Sequence, residues 1–309
     1  MKKVLLFIFC GCFMFSCSKE KKSPGPPVKP PGDKTYAVTF KINTTGASGL
    51  KTNSVHAETS VTPVSGLANQ LQYWVYDSSG KLITQLYQTK TTTNFGQITD
   101  TFSAGTYSIV IVAQNNLSAI ILPLTVPTTY STGAISINGN DTFFKTYSLT
   151  VTDTTSAQDV TLDRIDGQLQ VKITDAIPTA AQTLGVTIVS ERGIAISTGL
   201  PNATASTFTY QVSLPDSVKG KTNFTLTTYI ANTVAPFTAN IFATNSAGTK
   251  YVTATVDSVT CQVNERTLLS GALFNTSASN AFNVTFNNAW DGSPTIITFS
   301  KPSPTKHGN

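Results

Sequence analysis

The chain has 309 residues, of which 12% are charged, with a formal net charge of +5, 20 glycines, 15 prolines and four cysteines. Beyond Lys19, Lys21 and Lys22 the basic residues form no cluster, which excludes a nucleic-acid footprint, and abundant Thr, Ser and Asn with few helical runs point to an all-β chain. Three of the four cysteines lie within the first 17 residues, so Cys261 has no partner for an internal disulfide and stability must come from burial and strand pairing.

In chain order, Lys2 and Lys3 precede an apolar stretch from Val4 to Phe15, the order of a secretory signal. The stretch is shorter than the roughly 18 to 20 residues a membrane-spanning helix needs, so removal after export is expected. Met14-Phe15-Ser16-Cys17 resembles a bacterial lipobox, with Phe15 where a smaller residue is usual and Met14 where leucine is. The resemblance implies a signal peptide over 1–16 and acylation of Cys17, and two or more acyl chains hold a protein to a membrane where one alone is marginal. The alternative is an ordinary secretory signal in which Cys10, Cys12 and Cys17 are apolar filler. Residues 18–33, SKEKKSPGPPVKPPGD, are too polar and proline-rich to bury a core and read as a semi-rigid tether of about 3.1 Å per residue. Lipidated Cys17 and this tether together span 17–34.

Alternating, strand-length phrases follow: TYAVTFKI from Thr35, LQYWVYD from Leu71, KLITQLYQ from Lys81, GTYSIVIVAQ from Gly105 and TYSLTVT from Thr146. Asp77-Ser78-Ser79-Gly80 is hairpin chemistry, since Asp bonds its own downstream backbone and Gly supplies a positive φ. The order repeats in the second half: GQLQVKIT from Gly167 matches TYAVTFKI, LGVTIVSERGIAI from Leu184 matches LQYWVYDSSGKLI with Arg192-Gly193 at the turn, and NFTLTTYIAN from Asn223 matches GTYSIVIVAQN. Two tandem β-sandwich domains are predicted, 35–153 and 154–300, divided in the polar VTDTTSAQDV, with a tail over 301–309. Later strands are expected in KYVTATVDSV, Cys261 to Val263, RTLLSGALF and AFNVTFNNAW, and a helix is possible only in stretches such as Ala176 to Gln182. Cys261, alternating with Val259 and Val263, reads as a core thiol.

VNERTLLSGALF followed by AFNVTFNNAWDG, together with LDRIDGQLQVKITDAIP and AGTYSIVIVAQN, resembles the fimbrillin-like family, and within it the lipidated fimbrial anchor and accessory proteins. The resemblance spans nearly the whole chain after the signal. It implies two transthyretin-like or Ig-like sandwiches, attachment to the outer membrane with exposure at the cell surface, and fimbrial (pilus) subunits that join by adding a strand of one to a groove in the next. Stalk subunits of the family are cut after an arginine in the first domain. The arginines here are Arg164, Arg192 and Arg266, none in the predicted first copy, which favours a fixed base or accessory subunit in cell adhesion. Candidate edges for an added strand are TYAVTFKI and AFNVTFNNAW.

No catalytic residues are expected. The histidines are His56, in a polar loop, and His307, near the end, and neither sits in a nucleophile-base context. Asn138-Gly139-Asn140-Asp141 and Asp77-Ser78-Ser79-Gly80 lack the spacing of a calcium loop, so turns are expected and no metal or other cofactor. Trp74 and Tyr76 share one face of a strand, with Tyr73 and Val75 on the other, and Trp290 ends another strand. A sandwich needs large residues inside, which places Trp74 in the core and Trp290 as a cap. Exposed, the three would instead be candidate glycan-binding residues of a polysaccharide-uptake lipoprotein, the main alternative. A matrix or host ligand is not specified by any motif.

Overall fold

The computed structural model describes residues 34–45, 61–116, 123–275, 282–287 and 295–297. Eighteen strands carry the chain among these, with two short 3-10 turns at Val64–Gly66 and Asp216–Val218. The first nine strands are β1 (Thr35–Thr45), β2 (Val61–Pro63), β3 (Gln70–Tyr76), β4 (Leu82–Thr89), β5 (Gln97–Ser103), β6 (Gly105–Asn115), β7 (Ala134–Ile135), β8 (Asp141–Val151) and β9 (Ala157–Arg164). The other nine are β10 (Gly167–Ile173), β11 (Thr183–Ala195), β12 (Pro201–Ser213), β13 (Phe224–Ile230), β14 (Phe237–Thr244), β15 (Lys250–Val259), β16 (Arg266–Gly271), β17 (Asn283–Asn287) and β18 (Thr295–Ile297).

The same plan occurs twice. In the first half β1 pairs antiparallel with β5 and parallel with β9, while a second sheet runs β4-β3-β6-β8. In the second half β10 pairs antiparallel with β13 and parallel with β16, while the partner sheet runs β12-β11-β14-β15. The fold is two tandem β-sandwiches, each with its first strand paired in parallel to a late one, β1 to β9 and β10 to β16. One apolar core joins Val38, Phe40 and Ile42 to Tyr73, Val75, Ile109 and Ile111 between the first pair of sheets. Another joins Leu169, Val171 and Ile173 to Leu184, Val186, Ile188 and Ile241 between the second pair. Alternation places them there, because every second side chain of a strand faces the same way.

Several expectations change. β9 hydrogen-bonds to β1 along Thr39–Thr44 and to β8 at Phe143 and Phe144, so residues 157–164 complete the first sandwich, and a division at 153/154 separates that strand from its sheet. LGVTIVSERGIAI is not a hairpin. All of it but Ile196 lies within the single strand β11, where the register slips at Val189/Glu191 and Arg192/Ile194, and its hairpin partner is β12. NFTLTTYIAN corresponds by pairing to β5 rather than β6, whose counterpart is β14. Ala176 to Gln182 contains no helix. Cys261 is buried but lies beyond the end of β15, while Val263 is exposed.

Turn chemistry held where it was expected. Asp77 Oδ1 accepts from the Ser79 and Lys81 amides at 2.9 and 3.0 Å, and Gly80 has φ +80°. Asn138 and Gly139 both have positive φ, which glycine and asparagine tolerate best.

Gly185 on β11 lies under the ring of Phe242 on β14, and a Cβ there would run into the ring. Gly185→Ala is expected to lower stability by about 1–3 kcal/mol, the usual range for overpacking. An unchanged urea midpoint would show that the Phe242 ring moves aside freely.

Candidate docking edges and the junction between the sandwiches

β3 is buried on both faces. Leu71, Tyr73 and Val75 enter the first core, whereas Trp74 and Tyr76 point the other way into a third cluster. That cluster adds Val110, Val112 and Phe144 from the same sheet face, Leu124, Ile135 and Ile137 from the connection between β6 and β8, and Ile194, Ile196, Tyr229 and Ala231 from the second half. Trp74 is therefore buried as expected, but between the sandwiches rather than inside one. Polar side chains fix the connection in place: Gln72 accepts from Leu124 N at 2.7 Å and donates to Leu124 O at 3.1 Å, and the Tyr76 hydroxyl donates to Pro127 O at 2.8 Å.

Beside this cluster, the DRIDGQ segment links β9 to β10 through a buried polar network. Arg164 donates two bonds to Asp141, Nε to Oδ1 at 2.7 Å and Nη2 to Oδ2 at 3.0 Å, and a third from Nη1 to Asn264 Oδ1 at 2.6 Å. Its guanidinium carbon lies 4.7 Å from the centre of the Phe143 ring. Asp141 at the start of β8 thus holds the Arg164 guanidinium through both carboxylate oxygens. Asp166 accepts from Thr142 N at 2.6 Å through its carboxylate, and its own carbonyl accepts from Asn264 N at 2.8 Å. Its other carboxylate oxygen has no hydrogen-bond partner. Burial, followed by the nearby charge of Asp141, pushes the Asp166 carboxyl well above the usual range despite Arg164 and the Thr142 bonds. Because Arg164 ends β9, it belongs to the first sandwich after all, although it is buried and clamped.

A second buried acid lies at the β11 bulge. Glu191 accepts from Ala231 N at 2.7 Å, while Asn232 Nδ2 donates to the carbonyl of Ser190, itself at φ +73°. Burial raises the Glu191 carboxyl to about 7, although the amides of Ala231, Asn232 and Arg192 oppose the shift. Burial likewise pushes the Cys261 thiol up to about 12, the state of an inert core cysteine.

The candidate edges fall elsewhere than expected. β1 is flanked by β5, β9 and β2, and β17 lies between β16 and β18, so neither is an edge. Among the described residues the open edges of the two four-stranded sheets are those of β4, β12 and β15, with β8 touching β9 only at its start. A groove of about 400 Å³ lies beside β4, lined by Trp74, Gln85, Tyr87, Leu124 and Val126, in which Tyr87 is partly exposed. Trp74 and Tyr76 are buried. Cys17, His56, Trp290 and His307 lie outside the described residues, and no described helix is long and apolar enough to cross a membrane.

No family model matches the sequence, and no curated protein matches it. Solved structures do. A fimbrial assembly protein of Parabacteroides distasonis is 12% identical, with 85% of this chain and 99% of that one covered and a TM-score of 0.43. The fimbrial anchor protein of Porphyromonas gingivalis is 12% identical over 85% of this chain and 98% of its own, with a TM-score of 0.44. A candidate polysaccharide-binding protein of Bacteroides thetaiotaomicron is 10% identical over 86% and 98%, with a TM-score of 0.49.

Proposed function

We propose that this chain is a fimbrillin-like surface lipoprotein, anchored to the outer membrane through acylated Cys17, that serves as a fimbrial anchor or accessory subunit in cell adhesion and binds its neighbour by β-strand addition. The observation that carries this reading is the combination of two sandwiches joined through a shared apolar cluster with long sheet edges left open. An unpaired edge offers a row of N–H and C=O groups to an incoming strand, and a rigid body transmits the load of what it holds. The organisation in this reading is an excised leader over 1–16, a lipid-bearing tether over 17–34, a first sandwich from residue 35, a second reaching to about residue 300, and a tail over 301–309. The division between the sandwiches is taken after Arg164, because β9 pairs with β1 and β8. No catalysis is assigned to the chain.

The cellular test is deletion: shortened or shed fibres, together with co-purification of the chain with a fimbrial shaft protein, are expected, and unchanged surface fibres would overturn the reading. Cys17→Ala is expected to leave the protein unacylated by mass spectrometry and to move it from the membrane to the soluble fraction, since two or more acyl chains supply the attachment. The glycan-binding alternative has two of its three candidate aromatics, Trp74 and Tyr76, buried. Saturable binding of the purified chain to a polysaccharide would reverse this ranking.

A further inference from the structure

We infer that the strand-acceptor edge of this protein is β12, and that its occupant is an uncharged, alternating extended segment of a different chain. The inference rests on the reading above that the protein recruits a neighbour by strand addition, and it assigns the place and chemistry of that contact.

Natural proteins protect open edges with charges, prolines, bulges or covering segments, because an exposed edge pairs with any available strand. Among the described residues β15, β5 and β13 carry such devices, and β4, although uncharged, is closed at its entry. β15 holds Lys250 and Asp257, and its pairing with β14 slips at both ends. β5 holds Asp100. The entry to β4 is occupied, since Leu82 N donates to Thr128 O at 3.2 Å and Tyr130 N to Gly80 O at 2.8 Å. β13 is covered at Tyr229, whose amide donates to Gly139 O.

β12 carries none of these over its second half. PNATASTFTYQVS contains no Asp, Glu, Lys or Arg, and its one proline stands at the first position. From Thr207 to Ser213 it pairs with β11 in unbroken register, a ladder of seven residues, or roughly 23 Å at 3.3 Å per residue. Thr207, Thr209, Gln211 and Ser213 are exposed, while Phe208, Tyr210 and Val212 pack against the second core and remain only half-buried. The rim of that core is therefore incomplete along this edge. A strand added there would finish it with apolar or β-branched residues inward and Ser, Thr or Gln outward, in line with the existing Thr187–Thr209 hydroxyl pair at 3.0 Å. A charge on the inward side of the added strand would be desolvated with no counter-charge on β12, which selects for a neutral segment.

The test is hydrogen exchange, read by mass spectrometry, on the full acylated chain in detergent. The probe is a soluble nine-residue peptide alternating valine and threonine, and its control carries lysine at the valine positions. Amides of 207–213 are expected to slow with the neutral peptide and not with the lysine peptide. The double variant Thr207→Lys, Gln211→Lys is expected to bind the neutral peptide at least tenfold more weakly at an unchanged melting temperature. Slowing at β4 or β15 instead, or no slowing anywhere, would overturn the assignment. So would a concentration-dependent dimer abolished by the double variant, which would make the occupant a second copy. Slowing at β12 in a protein whose deletion leaves surface fibres unchanged would sink the anchor role and leave this edge assignment standing.

Discussion

Arg164→Leu is expected to lower the free energy of unfolding by about 3–5 kcal/mol, the range for removing one partner of a buried ion pair. The side chain donates both bonds that the Asp141 carboxylate receives from it and reaches Asn264 on the loop leading into β16, so its loss leaves an uncompensated buried charge at the seam between the sandwiches. The companion experiment is Asp141→Leu with Arg164→Leu. Replacing both ions with apolar groups removes the stranded charge, and a substantial part of the loss should return. Urea unfolding measures both variants. A single-variant cost below 1 kcal/mol would mean that water reaches Asp141 in the folded protein.

Glu191 supplies the second large effect, and its sign is opposite to that of an ordinary salt-bridged carboxylate. Its folded value of about 7 lies above the usual 4.5, so the folded protein holds a proton that the unfolded chain releases. The associated stability is fully present below about pH 4.5 and is lost as pH rises to about 7, with little further change above. At 1.36 kcal/mol per unit the loss is about 3 kcal/mol. Asp166, also raised by burial, contributes in the same direction. Glu191→Gln keeps an oxygen for the Ala231 amide and cannot ionise, so its unfolding free energy should exceed that of the native chain increasingly from pH 5 to pH 8. Parallel pH profiles for the two proteins would show that Glu191 titrates normally.

Local rules made much of this fold legible. TYAVTFKI alternates and opens β1, which runs three residues further to Thr45, KYVTATVDSV is β15 to the residue, and Asp77 closes its hairpin through its own side chain as expected. Signals of period two faded where strands are covered on both sides. β14 is buried or half-buried at every position, so FTANIFAT shows no polar face to mark it. β12 carries a readable alternation in Phe208, Tyr210 and Val212, but Arg192-Gly193 has the local chemistry of a turn, which masks the hairpin that β12 completes with β11. The location of Trp74 was beyond local pattern altogether: alternation separates it from Tyr73, but which face meets the sheet partner and which meets the other sandwich depends on Ile194 and Tyr229, more than a hundred residues away. The clamp is equally non-local, since Arg164 meets Asp141 and Asn264 across 23 and 100 residues.

The parallel pairing of β1 with β9 sets how a pulled molecule would resist. Tension entering at Thr35 and leaving through Arg164 toward β10 draws the two strands past each other lengthwise, so the ladder from Thr39 to Thr44 is strained as a set instead of peeling bond by bond. β5 holds the other flank of β1 along Thr35–Lys41. A pull on the chain ahead of Thr35 thus meets shear along the whole ladder.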